Sequence, residues 1–423
     1  LKILYTIFVF LYPYFAGLIS NNNKKARLWT TGRINIFPKL AAAFSGNAAP
    51  VIWVHCSSLG EFEQGRPFME KLKQDYPAYK ILLTFFSPSG YEIRKDYNQA
   101  DWVFYLPMDS PSHAKKFYDI TSPSIVFFIK YEFWNYYLQE ASKRNIPLML
   151  VSGTFRKSQP FFQWYGSFHR NMLLCFTHLF VQTATDKTLL AQIGFQSNVT
   201  ICGDTRFDRV LTIAQQFEPI PLIEHFIGNA KVIVAGSTWT EDDEELNHFA
   251  NNHPEIRFII APHDIDETRI QECLTLYKHA VLFSEIVENF STSGINTLLD
   301  KNVLIIDNIG MLSKLYYYST ISFIGGGFGD DGVHNVLEAA VYNKPLLFGP
   351  VYEKYSEAVD LIEQQGAVSV ENALELEKEL NQLLNNKDWY QTMAVNAGNY
   401  VQSKTGATQI LMSFIQENRL LTN

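Results

Sequence analysis

Beyond residue 50 the chain alternates short runs of aliphatic, β-branched and aromatic residues with longer stretches of helical periodicity. In the first half the short runs predict strands at Val51–His55, Ile81–Phe85, Ser124–Ile129, Leu148–Val151, Leu179–Gln182 and Val199–Cys202. Helical patterns such as Glu61–Tyr76 and Phe133–Arg144 lie between them. The second half predicts strands at Val232–Ala235, Arg257–Ile260, Val303–Ile306, Ile321–Ile324 and Pro345–Phe348, again with helices between. Such alternation implies parallel sheets with right-handed crossovers, one sheet per half. The seam is expected between Asp208 and Ile223, where Pro219 and Pro221 interrupt the periodicity. The fold class expected is therefore α/β, with two doubly wound Rossmann-like domains whose strand ends face a shared cleft.

The first residues break this pattern. From Ile3 to Ile19 the chain carries no charge, and its 17 residues extend roughly 26 Å as a helix against a hydrocarbon core of about 30 Å. Three tyrosines and Pro13 favour an interfacial placement as much as a spanning one. Lys24, Lys25, Arg27 and Arg33 follow, an asymmetry that assigns the downstream body to the cytoplasmic side. A retained membrane anchor, spanning or monotopic, is favoured over a cleaved signal peptide because no A-x-A site follows the run.

With 423 residues, 47% of them hydrophobic and 18% charged, the chain holds enough material for two cores. Its net charge of −8 argues against a general nucleic-acid partner. Cys56, Cys175, Cys202 and Cys273 are far apart and form no CxxC, which suits unpaired thiols in a reducing compartment.

Candidate chemistry sits at the turns between strands and helices. Five glycines between Gly325 and Gly332 follow the strand Ile321–Ile324 and lead to His334-Asn335 and a short helix carrying Glu338. Such a turn lets backbone approach a ligand and aims N–H groups at an anion. Gly327 to Gly332 fits G-x-G-x-x-G, with Glu353 about 20 residues on, but it does not open the first strand–helix unit of its half, so a dinucleotide reading carries little weight. Asn335 and Glu338 share one helix face, which suits either a ribose or an Asn cap with its acid. Gly236-Ser237-Thr238 ends another strand, and its hydroxyls and N–H groups suit a phosphate. Thr240 with Asp243 reads as the cap of the next helix, and Glu241–Glu245 as a solvated first turn.

In the first half the turn His55-Cys-Ser-Ser-Leu-Gly-Glu61 carries a carboxylate into the first turn of a helix. Glu61 is either a helix-dipole partner or a base at the carboxyl edge of a sheet; the residues alone leave both readings open. His55 reads as a packed strand residue. No Cys/His/Asp cluster predicts a metal site, and G-x-S-x-G and P-loop motifs are absent.

Taken together these segments resemble the Kdo transferases of lipid A biosynthesis, which transfer 3-deoxy-D-manno-octulosonic acid from CMP-Kdo. The resemblance runs in order along nearly the whole chain. His55–Glu61 is similar to H-x-x-S-x-G-E, Thr84–Glu92 to T-x-x-T-P-T-G-x-E, Tyr105–Asp109 to Y-L-P-x-D, Glu132–Trp134 to E-L-W and Gly203–Asp208 to G-x-x-K-F-D. In the second half Ser237–Glu245 is similar to S-T-H-x-G-E-E and Asp307–Leu312 to D-T-M-G-E-L. Gly325–Ala340 with Lys344–Pro350 is similar to the block GG…GGHNPLE…KPVLFGP.

The resemblance implies a GT-B fold and inverting transfer of Kdo from CMP-Kdo to a lipid A precursor, with no metal or other cofactor. It also implies a body on the cytoplasmic face of the inner membrane, in contact with the membrane surface. Residues 1–24 would be the anchor, 25–210 the acceptor-binding domain and 222–395 the donor domain, with 396–423 returning to the first domain. Carried over residue by residue, Glu61 would be the general base. Ser237, Thr238, His263, Ile309, Gly310, Gly326, Asn335 and Glu338 would line the donor. Ser58, Gly60, Glu132, Arg156 and Arg206 would serve the acceptor and the transition state, with Arg206 in place of the family lysine. Lys130 stands where the family has an acid, and Ala261-Pro-His263 lacks the family's arginine. The rival readings are another GT-B enzyme acting on a UDP-sugar, or a membrane-tethered binding protein without catalysis.

Overall fold

The computed structural model describes residues 1–130, 132–290 and 300–422. It divides into two compact units, one of Leu1–Arg209 with Gly406–Asn423 and one of Val210–Thr405. Each is built on a seven-stranded sheet in which every pairing is parallel.

The first sheet contains β1 (Val51–Cys56), β2 (Lys80–Phe85), β3 (Trp102–Tyr105), β4 (Pro123–Ile129), β5 (Leu148–Gly153), β6 (His178–Val181) and β7 (Val199–Ile201), in the order β3-β2-β1-β4-β5-β6-β7. Every residue of β1 is buried. Val51 and Trp53 pack into the core on one face, while Ile52, Val54 and Cys56 pack into the core on the other. Helices cover both faces of a parallel sheet, so its central strands are mostly apolar and show no alternation. Leu411, Met412 and Ile415 of the helix Ala407–Glu417 join the second of these cores. Asp208 fixes the start of that helix by accepting from the N–H groups of Gly406 and Thr408, both at 2.6 Å.

The second sheet contains β8 (Val232–Thr238), β9 (Arg257–Pro262), β10 (Ala280–Leu282), β11 (Val303–Ile305), β12 (Ile321–Ile324), β13 (Leu346–Phe348) and β14 (Ala367–Ser369), in the order β10-β11-β9-β8-β12-β13-β14. The periodicity of the sequence does not predict β3, β10 and β14. All three are edge strands of three or four residues, too short to show a period.

The N-terminal run is one helix, Lys2–Ile19, long and apolar enough to cross a membrane by length and composition. One face of it docks on the first unit. Tyr5 Oη donates to Asp109 Oδ2 at 2.5 Å, and Tyr12 packs edge-on against Trp29 at 5.0 Å. Asp109 also accepts from the N–H groups of Tyr136 and Tyr137 at 3.0 and 3.1 Å, at the start of the helix Asn135–Lys143, and burial pushes its carboxyl up to about 6. The opposite face leaves Ile3, Leu4, Phe10, Tyr14 and Leu18 exposed.

Candidate active site

Two clusters of polar residues form at the carboxyl ends of the sheets, one in each unit. In the first unit β1 delivers His55, and the chain then turns through Ser57 and Ser58 into the helix Leu59–Asp75. Ser58 is the N-cap and Glu61 completes a capping box, with the Ser58 N–H donating to Glu61 Oε2 at 3.0 Å and the Ser58 hydroxyl on the same oxygen. The helix-cap reading of Glu61 is thus realised. Oε2 secures the helix start, while Oε1 has no hydrogen bond among the described residues. A Cβ on Gly60 would come no nearer than 3.8 Å to its surroundings, so the space above this turn is not claimed by the chain's own packing.

Glu132 lies beside it. Although part of its surface is exposed, the packing around its carboxyl and the neighbouring Glu61 charge push it up to about 7, against hydrogen bonds to Ser57 and Trp134. Two carboxyl groups, one of them with its proton held up, therefore sit together at the carboxyl ends of β1 and β4. Behind them, the Trp134 indole N–H donates to His55 Nε2 at 3.2 Å, and His55 Nδ1 lies 2.9 Å from Thr84 Oγ1. An indole N–H can only donate, so Nε2 is the acceptor and Nδ1 carries the proton. Burial holds this imidazole down to about 3 and keeps it neutral. His55 is thus a packed strand residue that sets Trp134.

Arg206 is linked through Asp204 to Gln64, one helical turn along from Glu61. Its guanidinium is clamped on Asp204 at 2.9 and 2.8 Å, and Asp204 also accepts from Gln64 Nε2 at 3.1 Å. Its charge is thus matched by Asp204 instead of standing open toward a substrate. Arg156 lies on an exposed loop after β5, tied by its backbone N–H to Gln159. Lys130, at the end of β4, holds a left-handed φ of 69°.

In the second unit Asn335 and Glu338 come together, with Asn335 Nδ2 donating to Glu338 Oε1 at 2.9 Å while Asn335 Oδ1 accepts the Leu337 N–H at 3.2 Å. Asn335 therefore closes a local turn and is not the N-cap, which is Val336 without a side-chain bond, and the pair presents an exposed amide and a half-exposed carboxylate at the start of Leu337–Ala340. Ile309 is 87% exposed beside Gly310, whose φ is 98° with open space around it.

Three expectations for this unit need correction. The N–H groups of Gly326 and Phe328 in the glycine-rich turn do not wait for an outside anion. The buried Asp242 carboxylate accepts from Gly326 at 2.7 Å, Trp239 at 2.8 Å and Phe328 at 3.4 Å. Burial pushes that carboxyl up to about 6. Gly326 is thus held by an internal acid. The first turn of Thr240–Asn252 is also only partly solvated, with Glu241 exposed but Asp242 and Asp243 buried. It is capped at Trp239 by Asp242 and not at Thr240 by Asp243, because Asp243 is buried against Arg269 and the Tyr277 hydroxyl. Thirdly, Thr238 is fully buried, which takes its hydroxyl away from any ligand, while Ser237 turns outward with a left-handed φ of 56°.

His263 joins a feature that sequence reasoning overlooked. Its ring stacks on Trp239 and on His334, each at 4.5 Å, and the Trp239 indole donates to His334 Nε2 at 3.1 Å. His334 is held down to about 4 by burial and by the neighbouring His263. The available signal was Trp239 itself, which stands where the resembled motif has a histidine.

The family model described as 3-Deoxy-D-manno-octulosonic-acid transferase (kdotransferase) matches residues 31–209. A 3-deoxy-D-manno-octulosonic acid transferase of Aquifex aeolicus is 28% identical over 348 residues, 81% of this chain and 88% of that protein. A bifunctional glycosyltransferase/methyltransferase of Fusobacterium nucleatum is 26% identical over 382 residues; these are 88% of this chain but only 55% of that protein's length. Among solved structures, the UDP-GlcNAc 2-epimerase of Neisseria meningitidis superposes with a TM-score of 0.60 at 18% identity, covering 87% of this chain and all of that one. That likeness shows the fold alone, which is GT-B.

Proposed function

We propose that this chain, which belongs to the 3-deoxy-D-manno-octulosonic-acid transferase family and is a glycosyltransferase, moves Kdo from CMP-Kdo to a sugar hydroxyl of a lipid A precursor with inversion. The observation that carries the reading is the divided role of Glu61. One oxygen is spent on the Ser58 cap and the other is open, beside a second carboxyl whose proton is held to about 7. Glu61 accepts the proton of the attacking hydroxyl through Oε1 as that oxygen bonds the anomeric carbon and the CMP phosphate departs. Glu132, whose proton is held up to about 7, spares the site a negative charge below that pH and can donate to the acceptor sugar.

On the donor side, Asn335 and Glu338 hold the ribose, and Ser237 with the backbone at Ile309 and Gly310 takes the phosphate and base. His263 lies on the Trp239 and His334 rings as a flat wall for the nucleotide. Arg156 supplies an acceptor-side cation, while Arg206, matched by Asp204, steadies the turn behind Glu61. The phosphate monoester leaving group calls for no metal. The apolar outer face of Lys2–Ile19 and the basic residues after it support a seat on the cytoplasmic face of the inner membrane. Nucleotide protection tests the donor assignment. CMP is expected to raise the thermal midpoint and uridine nucleotides to leave it unchanged; the reverse pattern would point to a UDP-sugar enzyme.

A further inference from the structure

A cavity of about 350 Å³ opens between the first two helices, Lys2–Ile19 and Lys24–Gly32, and the end of β2. Its walls are largely apolar, with Tyr12, Phe15, Ala16, Trp29 and Phe86 among them. Three of the rings lock together, Tyr12 to Trp29 at 5.0 Å, Trp29 to Phe86 at 5.8 Å and Tyr12 to Phe86 at 5.9 Å, so the cavity has a rigid floor. Its polar border includes the exposed Lys25, flanked in the chain by Lys24 and Arg27. Phe86 and Ser87 donate their backbone N–H groups to Ser57 O at 3.2 and 2.7 Å, and Phe86 lies against Trp134 at 4.4 Å. The floor of the cavity is therefore bonded directly to the turn that carries Glu61.

An apolar volume of this size suits a small, mostly hydrocarbon group. The basic border favours an anion at its end, and the helix forming one wall already presents an apolar outer face. Accepting the lipid acceptor of the proposed function, we propose that this cavity takes one of that acceptor's acyl chains and so positions its sugar over Glu61. The acyl chain then serves as a handle on the acceptor, distinct from the groups that react.

The test uses the full chain and an acceptor bearing one dodecanoyl chain with a terminal diazirine. Photolabelling is expected on the peptides that hold Tyr12, Phe15 or Trp29. Ala16→Trp, which fills the cavity, is expected to cut that labelling at least tenfold and Lys25→Glu at least threefold. Ala16→Trp is also expected to raise KM for the acylated acceptor tenfold or more while leaving turnover of the deacylated acceptor unchanged. Lys25 is exposed, so Lys25→Glu keeps the test sound if the bulkier change disturbs folding. Labelling elsewhere, equal effects on both acceptors, or displacement by phosphatidylethanolamine vesicles but not by acceptor would overturn the inference. Labelling does not require transfer. A chain that labels in the cavity without transferring Kdo refutes the proposed function alone; one that transfers without labelling there refutes this inference alone.

Discussion

Glu61→Gln changes one carboxylate oxygen into an amide and leaves the shape of the turn intact. Glutamine also closes a capping box, so the Ser58 N–H keeps its acceptor. The loss in stability is confined to the charge–dipole term, about 0.3–1 kcal/mol, and to the hydrogen-bond difference at the 3.0 Å Ser58 contact. In a unit of this size that amounts to a fall of about 2–4 °C at most in thermal midpoint. The loss in rate is set by the missing base, typically 10²–10⁴-fold, or about 3–5 kcal/mol of barrier. The two effects are separable by measuring CMP release under saturating donor and acceptor, CMP affinity by calorimetry, and the thermal midpoint on the same preparation. Turnover should fall at least a hundredfold with CMP affinity kept within about twofold. Unchanged turnover would refute the role of Glu61, and an equal loss of CMP affinity would reassign it to the fold.

Glu132 has a carboxyl raised to about 7 in the folded chain, so between its unfolded value and pH 7 the folded state binds more protons. Stability from this group is full at low pH and is lost as pH rises through 7, by roughly 3 kcal/mol at most. Glu132→Gln should flatten that slope in denaturant midpoints taken at several pH values, and a slope identical to that of the parent chain would count against it. Asp242→Ala strips the acceptor from the Trp239, Gly326 and Phe328 N–H groups, which should cost about 2–4 kcal/mol. An unmoved urea midpoint would contradict that account. Asn335→Ala should raise KM for CMP-Kdo about tenfold with little change in thermal midpoint, since the amide is exposed; an unaltered KM would remove it from the donor site.

The central strands were legible because a two-sided parallel sheet writes apolar runs without alternation, as at residues 51–54 of β1 and 125–129 of β4. The edge strands β3, β10 and β14 were not, since three or four residues with one neighbour need little apolar commitment. At the site, the strand-to-helix turns around Glu61 and Asn335 could be read from local residue types. What could not be read was which acid closes which network. Asp242 and Asp243 look alike in the run Glu241–Glu245, yet one accepts from the glycine-rich turn 84 residues away and the other is buried against Arg269. Likewise Ser237 and Thr238 are adjacent hydroxyls, but a left-handed backbone at Ser237 and the register shift in β8 turn one outward and the other into the core.

The most direct test of the central claim is the mass of the product. The full chain, incubated with CMP-Kdo and with monophosphorylated or bisphosphorylated lipid A precursor, should add the mass of one or more Kdo units to at least one acceptor and release CMP in equal amount. No mass gain on either acceptor, from a preparation that binds CMP, would contradict the account.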